Sequence, residues 1–173
     1  MFEVLAEDRQ ALVTLNGMGS EIYDPFWIWL SETWVWIPLY VIFAYLLYKN
    51  LGKRNFLYIL LFVALGVTIS DQLAGIFKNG MMRLRPCQDP TLKNLIRVVK
   101  CGGPFGFYSS HASNTFFLAN FLSIMLYRKY RWLPFFVFAW AAAVSYSRIY
   151  LGVHFPLDIL MGAAVGVFLG GLF

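Results

Sequence analysis

At 173 residues, with 60% hydrophobic, 19% aromatic and only 13% charged side chains, the chain lacks the polar surface that a soluble globule of this size needs. The formal net charge of +5 is not gathered into a basic helix or an aromatic-interleaved basic strip, which argues against a nucleic-acid surface and leaves membrane topology as its explanation. A cleaved signal peptide is not expected, because residues 1–19 carry Glu3, Glu7 and Asp8 and lack a basic stretch followed by an apolar run.

In chain order, residues 1–22 predict an interfacial helix with Phe2, Leu5, Ala6, Leu12 and Val13 on one face, broken by Asn16-Gly17 and Gly19-Ser20. A soluble leader without membrane contact is the plainer alternative. Five apolar runs follow, at about 25–48, 56–77, 111–127, 132–150 and 156–173, each near the ~20 residues a bilayer span requires. The fold expected is therefore all-α, an integral membrane bundle of about five transmembrane helices plus the N-terminal interfacial helix, in a single domain over 1–173. Trp27, Trp29, Trp34, Trp36, Trp132, Tyr127 and Tyr130 crowd toward span ends, as an aromatic belt does.

Short connections set the orientation. Lys49, Lys53 and Arg54 join the first two spans, Arg128, Lys129 and Arg131 the third and fourth, and neither connection holds an acid; the positive-inside rule puts both in the cytoplasm. The N-terminus, the 78–110 loop and the 147–155 turn then share the outer face, the periplasmic side if the membrane is a bacterial inner membrane. Cys87 and Cys101 lie in that outer loop, so a disulfide is expected over two unrelated thiols, and a metal site is not, since no second ligand pair has suitable spacing.

Within the second run, Ser70-Asp71-Gln72 interrupts the apolar sequence, and Asp71 is spaced to share a helix face with Lys78. A structural pairing that supports the cation is expected for it. Gly66 and Gly75, and Gly162, Gly166 and Gly170, predict close helix packing rather than a ligand site. No internal repeat of the kind many transporters show is visible.

Three polar clusters fall on the outer face. Lys78 and Arg85-Pro86 close the second run; snorkelling to headgroups is the bland explanation for both, and general basicity the one preferred for Arg83. Ser109-Ser110-His111 opens the third, where serine is a favoured N-cap and free backbone N–H groups attract anions. Ser147-Arg148 and His154-Phe155-Pro156-Leu157-Asp158 separate the last two; Pro156 suits a helix start, and Asp158 follows His154 by about one turn, in reach of the imidazole. Arginine adds a permanent cationic fork for phosphate. His111 alone is more commonly structural; convergence of three clusters favours phosphoryl transfer through histidine at a membrane surface.

Lys78-x6-Arg85-Pro86, Ser109-x-His111 and Ser147-Arg148-x5-His154-x3-Asp158, in this order and between spans, resemble the type 2 phosphatidic acid phosphatase superfamily. The resemblance implies a helical bundle with a metal-independent site and no cofactor. In it, His154 would be the nucleophile oriented by Asp158, and His111 the general acid. Lys78, Arg85, Ser109, Ser110, Arg148 and the backbone N–H groups of the Ser110–His111 region would grip the phosphoryl oxygens. Where the family's second motif reads Pro-Ser-Gly-His, this chain has Tyr108-Ser109-Ser110-His111. The resemblance offers undecaprenyl diphosphate, phosphatidylglycerol phosphate, phosphatidic acid and the lipid A phosphate as substrates, with undecaprenyl diphosphate weakly favoured. Besides the substrate and membrane lipids, no nucleic acid and no obligatory protein partner is expected. A vanadate-dependent haloperoxidase-like enzyme and a non-catalytic lipid-phosphate binder or transporter are the competing readings.

Overall fold

The computed structural model describes residues 2–172; Met1, Phe173 and the side chain of Phe2 lie outside the described residues, and with them Phe2's predicted place on the first helix face. The order is α1 (Phe2–Gly17), α2 (Asp24–Ser31), α3 (Ile37–Met81), α4 (Ser110–Leu126), α5 (Leu133–Tyr150) and α6 (Pro156–Leu172), with short 3-10 turns before α2, before α3 and at Pro86–Gln88. Among the described residues, the β contact is one isolated bridge pairing Leu84 with Phe105 across the loop after α3.

The helix-start chemistry matches expectation where proline leads. Pro156 opens α6, and α2, α3 and α5 each carry proline in their first turn, where its missing N–H costs nothing. The predicted run 25–48 is divided, because Glu32 is extended at φ −81°, ψ 127° and ends α2 before α3 begins at Ile37. At Gly52 the backbone leaves the helical region entirely, φ 77°, ψ 164°, a conformation open to glycine; α3 is thus two segments, 37–51 and 53–81, joined at a sharp break. By length and composition, one stretch, Thr33–Met81, is apolar enough to cross a membrane, and α6 is a shorter apolar helix. Large apolar side chains stand exposed along α3, among them Val41, Leu57, Leu61 and Ile76, a surface that water would penalise and lipid would cover.

α4 and α6 form the most intimate pair. Gly162, Gly166 and Gly170 recur every fourth residue, and Cβ atoms there would lie 2.5, 2.2 and 2.5 Å from the backbone oxygens of Ser109, Ser113 and Phe117, themselves four apart. Absent side chains on one ridge thus admit the backbone of the other helix. Gly66 is similarly filled by the Phe117 ring, 2.3 Å from its would-be Cβ, but Gly75 has nothing within 4 Å, so its predicted packing role is not met. Gly166→Leu is expected to destabilise the bundle by at least ~2 kcal/mol through overpacking against backbone that cannot yield. Gly75→Ala should leave the thermal midpoint in detergent unchanged or slightly raised, since alanine is the better helix former; equal midpoints for the Gly166→Leu variant and the parent would contradict this packing.

α1 packs on the protein through Leu12 and Val13 of its apolar face, together with polar residues. Asp8, Leu12 and Asn16, spaced four apart, are all buried, whereas Leu5 and Ala6 are exposed. Leu12 packs with Leu92, Ala112, Ile149, Phe155 and Ile159, and Asn16 Nδ2 donates to the carbonyls of Arg97, Ile149 and Tyr150 while its Oδ1 accepts from Arg97 N–H. The predicted helix breaker is therefore also a clamp on the turn after α5. A second core, around Phe43, Leu47, Ile59, Phe121, Val137 and Trp140, fills the far end of α3, α4 and α5. The aromatic belt is partly internal: Trp27 stacks on Tyr150 with centroids 5.2 Å apart and Trp36 packs edge-on to Trp140, whereas Trp29, Trp34, Trp132 and Tyr127 are exposed.

Candidate active site

Three helix ends and one stapled loop carry the site. α3 ends at Met81, and Met82 turns the chain in the left-handed region, φ 46°. The following loop returns past Arg83 and Arg85, held by Arg85 N–H to Pro104 O and Gly106 N–H to Arg83 O, each at 2.9 Å. Cys87 and Cys101 are disulfide-bonded with Cα atoms 5.8 Å apart, closing the loop as expected. α4 starts at Ser110 with Ser109 as its N-cap, Oγ accepting from Ala112 N–H; Ser109 N–H in turn donates to the Asp158 carbonyl at 3.0 Å, tying α4 to α6.

His154 and Asp158 face each other in the turn into α6, Nδ1 to Oδ2 3.4 Å, with Phe155 N–H donating to the same Oδ2 at 3.0 Å. A carboxylate only accepts, so Nδ1 carries the ring proton and Nε2 keeps its lone pair. The length is of the kind that tightens when substrate arrives. Burial is the largest influence on His154 and pushes it down to about 4, against the Asp158 hydrogen bond and charge that favour the protonated ring; at neutral pH the imidazole is therefore uncharged. Gly106 lets the loop lie against this pair: a Cβ there would sit 3.3 Å from Asp158 Oδ2, 3.5 Å from His154 Nδ1 and 3.1 Å from Arg85 Cγ.

Around the pair the cations converge. His111 lies within electrostatic range of Arg148, His154, Lys78 and Arg85, so both histidines and the three motif cations feel one another's charge. Lys78 Nζ donates to Ser110 Oγ at 2.7 Å, and Arg85 Nε to Phe105 O at 3.1 Å. Burial lowers Arg85 from its ordinary value while Asp158 opposes it; guanidinium nevertheless remains a cation at neutral pH. Arg148 is buried, with Nη1 donating to Ser31 Oγ and Nε without a partner. Like charges this close repel unless an anion sits among them, so the cluster could hold an anionic group.

Two expectations change in detail. Asp71 does not hydrogen-bond Lys78: its Oδ1 accepts from Asn114 Nδ2 at 3.0 Å, and it acts on Lys78 only through charge at a distance. Seven residues of helix separate the two side chains, and Ser110 reaches the ammonium first. Arg83, read as merely basic, donates from Nη1 to Asp158 Oδ1 at 2.8 Å and from Nη2 to Asp8 Oδ2 at 2.5 Å. Asp8, Ser31 and Gly106 were not singled out either. For Asp8 a signal existed, an acid at four-residue spacing from Leu12 and Asn16; for Ser31 and Gly106 the sequence offers none. Of the two departures in the second motif, Tyr108 is fully buried with its hydroxyl toward Ser70 O, and Ser110 is the residue that holds Lys78.

Comparison with known proteins shows the family and the fold. The lipid A 4'-phosphatase of Bacteroides thetaiotaomicron is 40% identical over 100% of this chain and 78% of its own length. That of Porphyromonas gingivalis is 36% identical over 96% of this chain and 71% of its own. The undecaprenyl-diphosphatase of Sulfolobus acidocaldarius is 27% identical over 90% and 67%. Among solved structures, the transmembrane phosphatidylglycerolphosphate phosphatase of Bacillus subtilis matches with a TM-score of 0.76 at 20% identity, covering 99% of this chain and 85% of that one. Aquifex aeolicus LpxE matches with a TM-score of 0.72 at 23% identity, covering 94% and 92%; both show a shared fold. The model of the PAP2 superfamily matches residues 55–173, a range that holds all three motifs, and the chain belongs to that superfamily.

Proposed function

We propose that this phosphatase hydrolyses the phosphate ester of a sugar-bearing membrane lipid of the lipid A type, through a phosphohistidine on His154. The relatives of 40% and 36% identity, both named lipid A 4'-phosphatases, support that substrate over undecaprenyl diphosphate, the weak favourite of the sequence. The observation that carries the reading is the cavity beside His111. It measures about 320 Å³ and is lined by Trp36, Tyr40, Asp71 and Asn114. It shares Thr33, Tyr40, Val67 and Asn114 with an apolar cavity of about 490 Å³ whose walls include Phe43, Leu60 and Leu122. A general acid stands on the leaving-group side, so the group beyond the scissile oxygen meets carboxylate, amide and aromatic faces first and hydrocarbon next. A hydroxylated ring followed by acyl chains fits that order. In undecaprenyl diphosphate the group beyond the scissile oxygen is a second phosphate, an anion brought toward the Asp71 carboxylate in this cavity, and hydrocarbon follows it.

In the proposed reaction, His154 Nε2 attacks phosphorus, the ester P–O bond breaks, and His111 gives the leaving oxygen a proton. Water then attacks the phosphohistidine, His111 takes a water proton, the N–P bond breaks and inorganic phosphate leaves. Asp158 holds the imidazole tautomer; Lys78, Arg85, Arg148, Ser109, Ser110 and the first N–H groups of α4 hold the oxygens, which is where phosphoryl transfer needs stabilisation. The disulfide and the basic short connections support an extracytoplasmic site at the outer face of the membrane in which the helices sit.

Purified protein in detergent with EDTA, offered lipid A, undecaprenyl diphosphate, phosphatidylglycerol phosphate and phosphatidic acid in parallel, is expected to release phosphate at least about tenfold faster from lipid A, and vanadate should inhibit. Faster release from undecaprenyl diphosphate, or activity lost in EDTA and restored by magnesium, would overturn the reading.

A further inference from the structure

The carboxylate that orients His154 is itself held from behind. Asp158 is fully buried: its Oδ2 serves His154 and the Phe155 N–H, and its Oδ1 accepts from Arg83. The other terminal nitrogen of that guanidinium goes to Asp8 Oδ2, and Asp8 Oδ1 accepts from the Leu157 backbone N–H at 2.8 Å. A closed ring results: Asp8 to Arg83, Arg83 to Asp158, and Asp158 through the peptide beside it back to Asp8. Arg83 is fixed from a third side by the Phe155 ring, 4.0 Å from its Cζ, a cation–π contact. With both terminal nitrogens engaged by carboxylates, Arg83 belongs to the support of the pair rather than to the phosphate cradle.

We propose that Asp8 is a positioning residue for the reaction: α1 delivers it to the back of the site, where through Arg83 and the first turn of α6 it sets the angle at which Asp158 presents His154 to phosphorus. The inference rests on the assignment of His154 and Asp158 in the preceding section. α1 is anchored independently by the buried Leu12 and by the four hydrogen bonds of Asn16, so loss of the Asp8 charge loosens the ring without releasing the helix. Arg83, between two buried carboxylates, is the costlier loss, since its removal leaves two uncompensated anions together. Reactions of this kind are sensitive to placement, with about 1 Å of error at the reacting atom worth ~100-fold in rate.

The test compares Asp8→Asn, Arg83→Gln and their double variant with Arg9→Ala, which removes the neighbouring surface pair to Asp89 on the same helix. Asp8→Asn is expected to lower kcat by about 10- to 100-fold with KM within about twofold, Arg83→Gln at least as much, and the double variant no further than Arg83→Gln, because the two act in series. Arg9→Ala should leave kcat unchanged. A second readout needs no substrate: in ¹³C-histidine NMR of the full-length protein, Asp8→Asn should move the His154 ring resonances and leave those of His111 in place. Folded Asp8→Asn protein with parental kcat, or with unmoved His154 resonances, overturns the proposal. Because the NMR arm does not depend on which lipid is hydrolysed, a wrong substrate assignment and a wrong role for Asp8 give different results.

Discussion

His154→Ala is expected to lower phosphate release on the order of 10⁴-fold or more, the largest loss any single substitution should produce, since removal of a covalent nucleophile in other hydrolases costs as much or more. The physical reason lies in what the remaining site can do. Lys78, Arg85 and Arg148 would still gather the phosphate and could favour attack by water, so a small residual rate is expected, but the ring whose Nε2 is left free by the Asp158 contact has no substitute. His111 does not replace it, because it lines the polar cavity and, among the described residues, its ring has no hydrogen bond to a carboxylate. KM for the lipid should change little, as the cations that hold the phosphoryl group are untouched. A loss of less than about tenfold in folded protein would mean that the chemistry runs through another group.

His111→Ala is expected to cost about 10²- to 10⁴-fold on lipid substrates, the usual range for a general acid or base, with a dependence on leaving group that a structural histidine would not give. A lipid alkoxide is a poor leaving group and needs a proton as the P–O bond breaks. p-Nitrophenolate does not. With p-nitrophenyl phosphate the variant should therefore form the phosphohistidine readily and stall before hydrolysis, visible as a nitrophenol burst of about one equivalent per enzyme followed by slow release. An equal loss on both substrates, with no burst, would assign His111 to structure.

The site was far more legible in the sequence than the fold around it. The motif residues sit at helix ends, where capping serine, leading proline and one-turn spacing act locally, so Ser109, His111, Arg148, His154 and Asp158 could be placed from chain order alone. Four of the five predicted apolar runs match helices closely, because hydrophobic length is also a local property. The first run fails where Glu32 adopts an extended conformation, a break that apolar composition on both sides masks, whereas the break at Gly52 falls in the predicted connection between the first two runs. Least visible were the partnerships made across the fold. Asp8 and Arg83 are 75 residues apart, and although the spacing of Asp8, Leu12 and Asn16 marks a stripe, nothing in it says which cation its acid meets. Asp71 shows the converse: helical spacing offered Lys78, and Asn114 on a neighbouring helix arrived first.

Rapid mixing with a ³²P-labelled lipid substrate, quenching in alkali where phosphohistidine survives, and mapping of the labelled peptide address the central claim most directly. The label should appear on the peptide that contains His154, chase away with turnover, be missing in His154→Ala and form only slowly from the lipid in His111→Ala, whose leaving group then lacks its proton. Full turnover with no trapped label, or label carried by any other side chain, would contradict it.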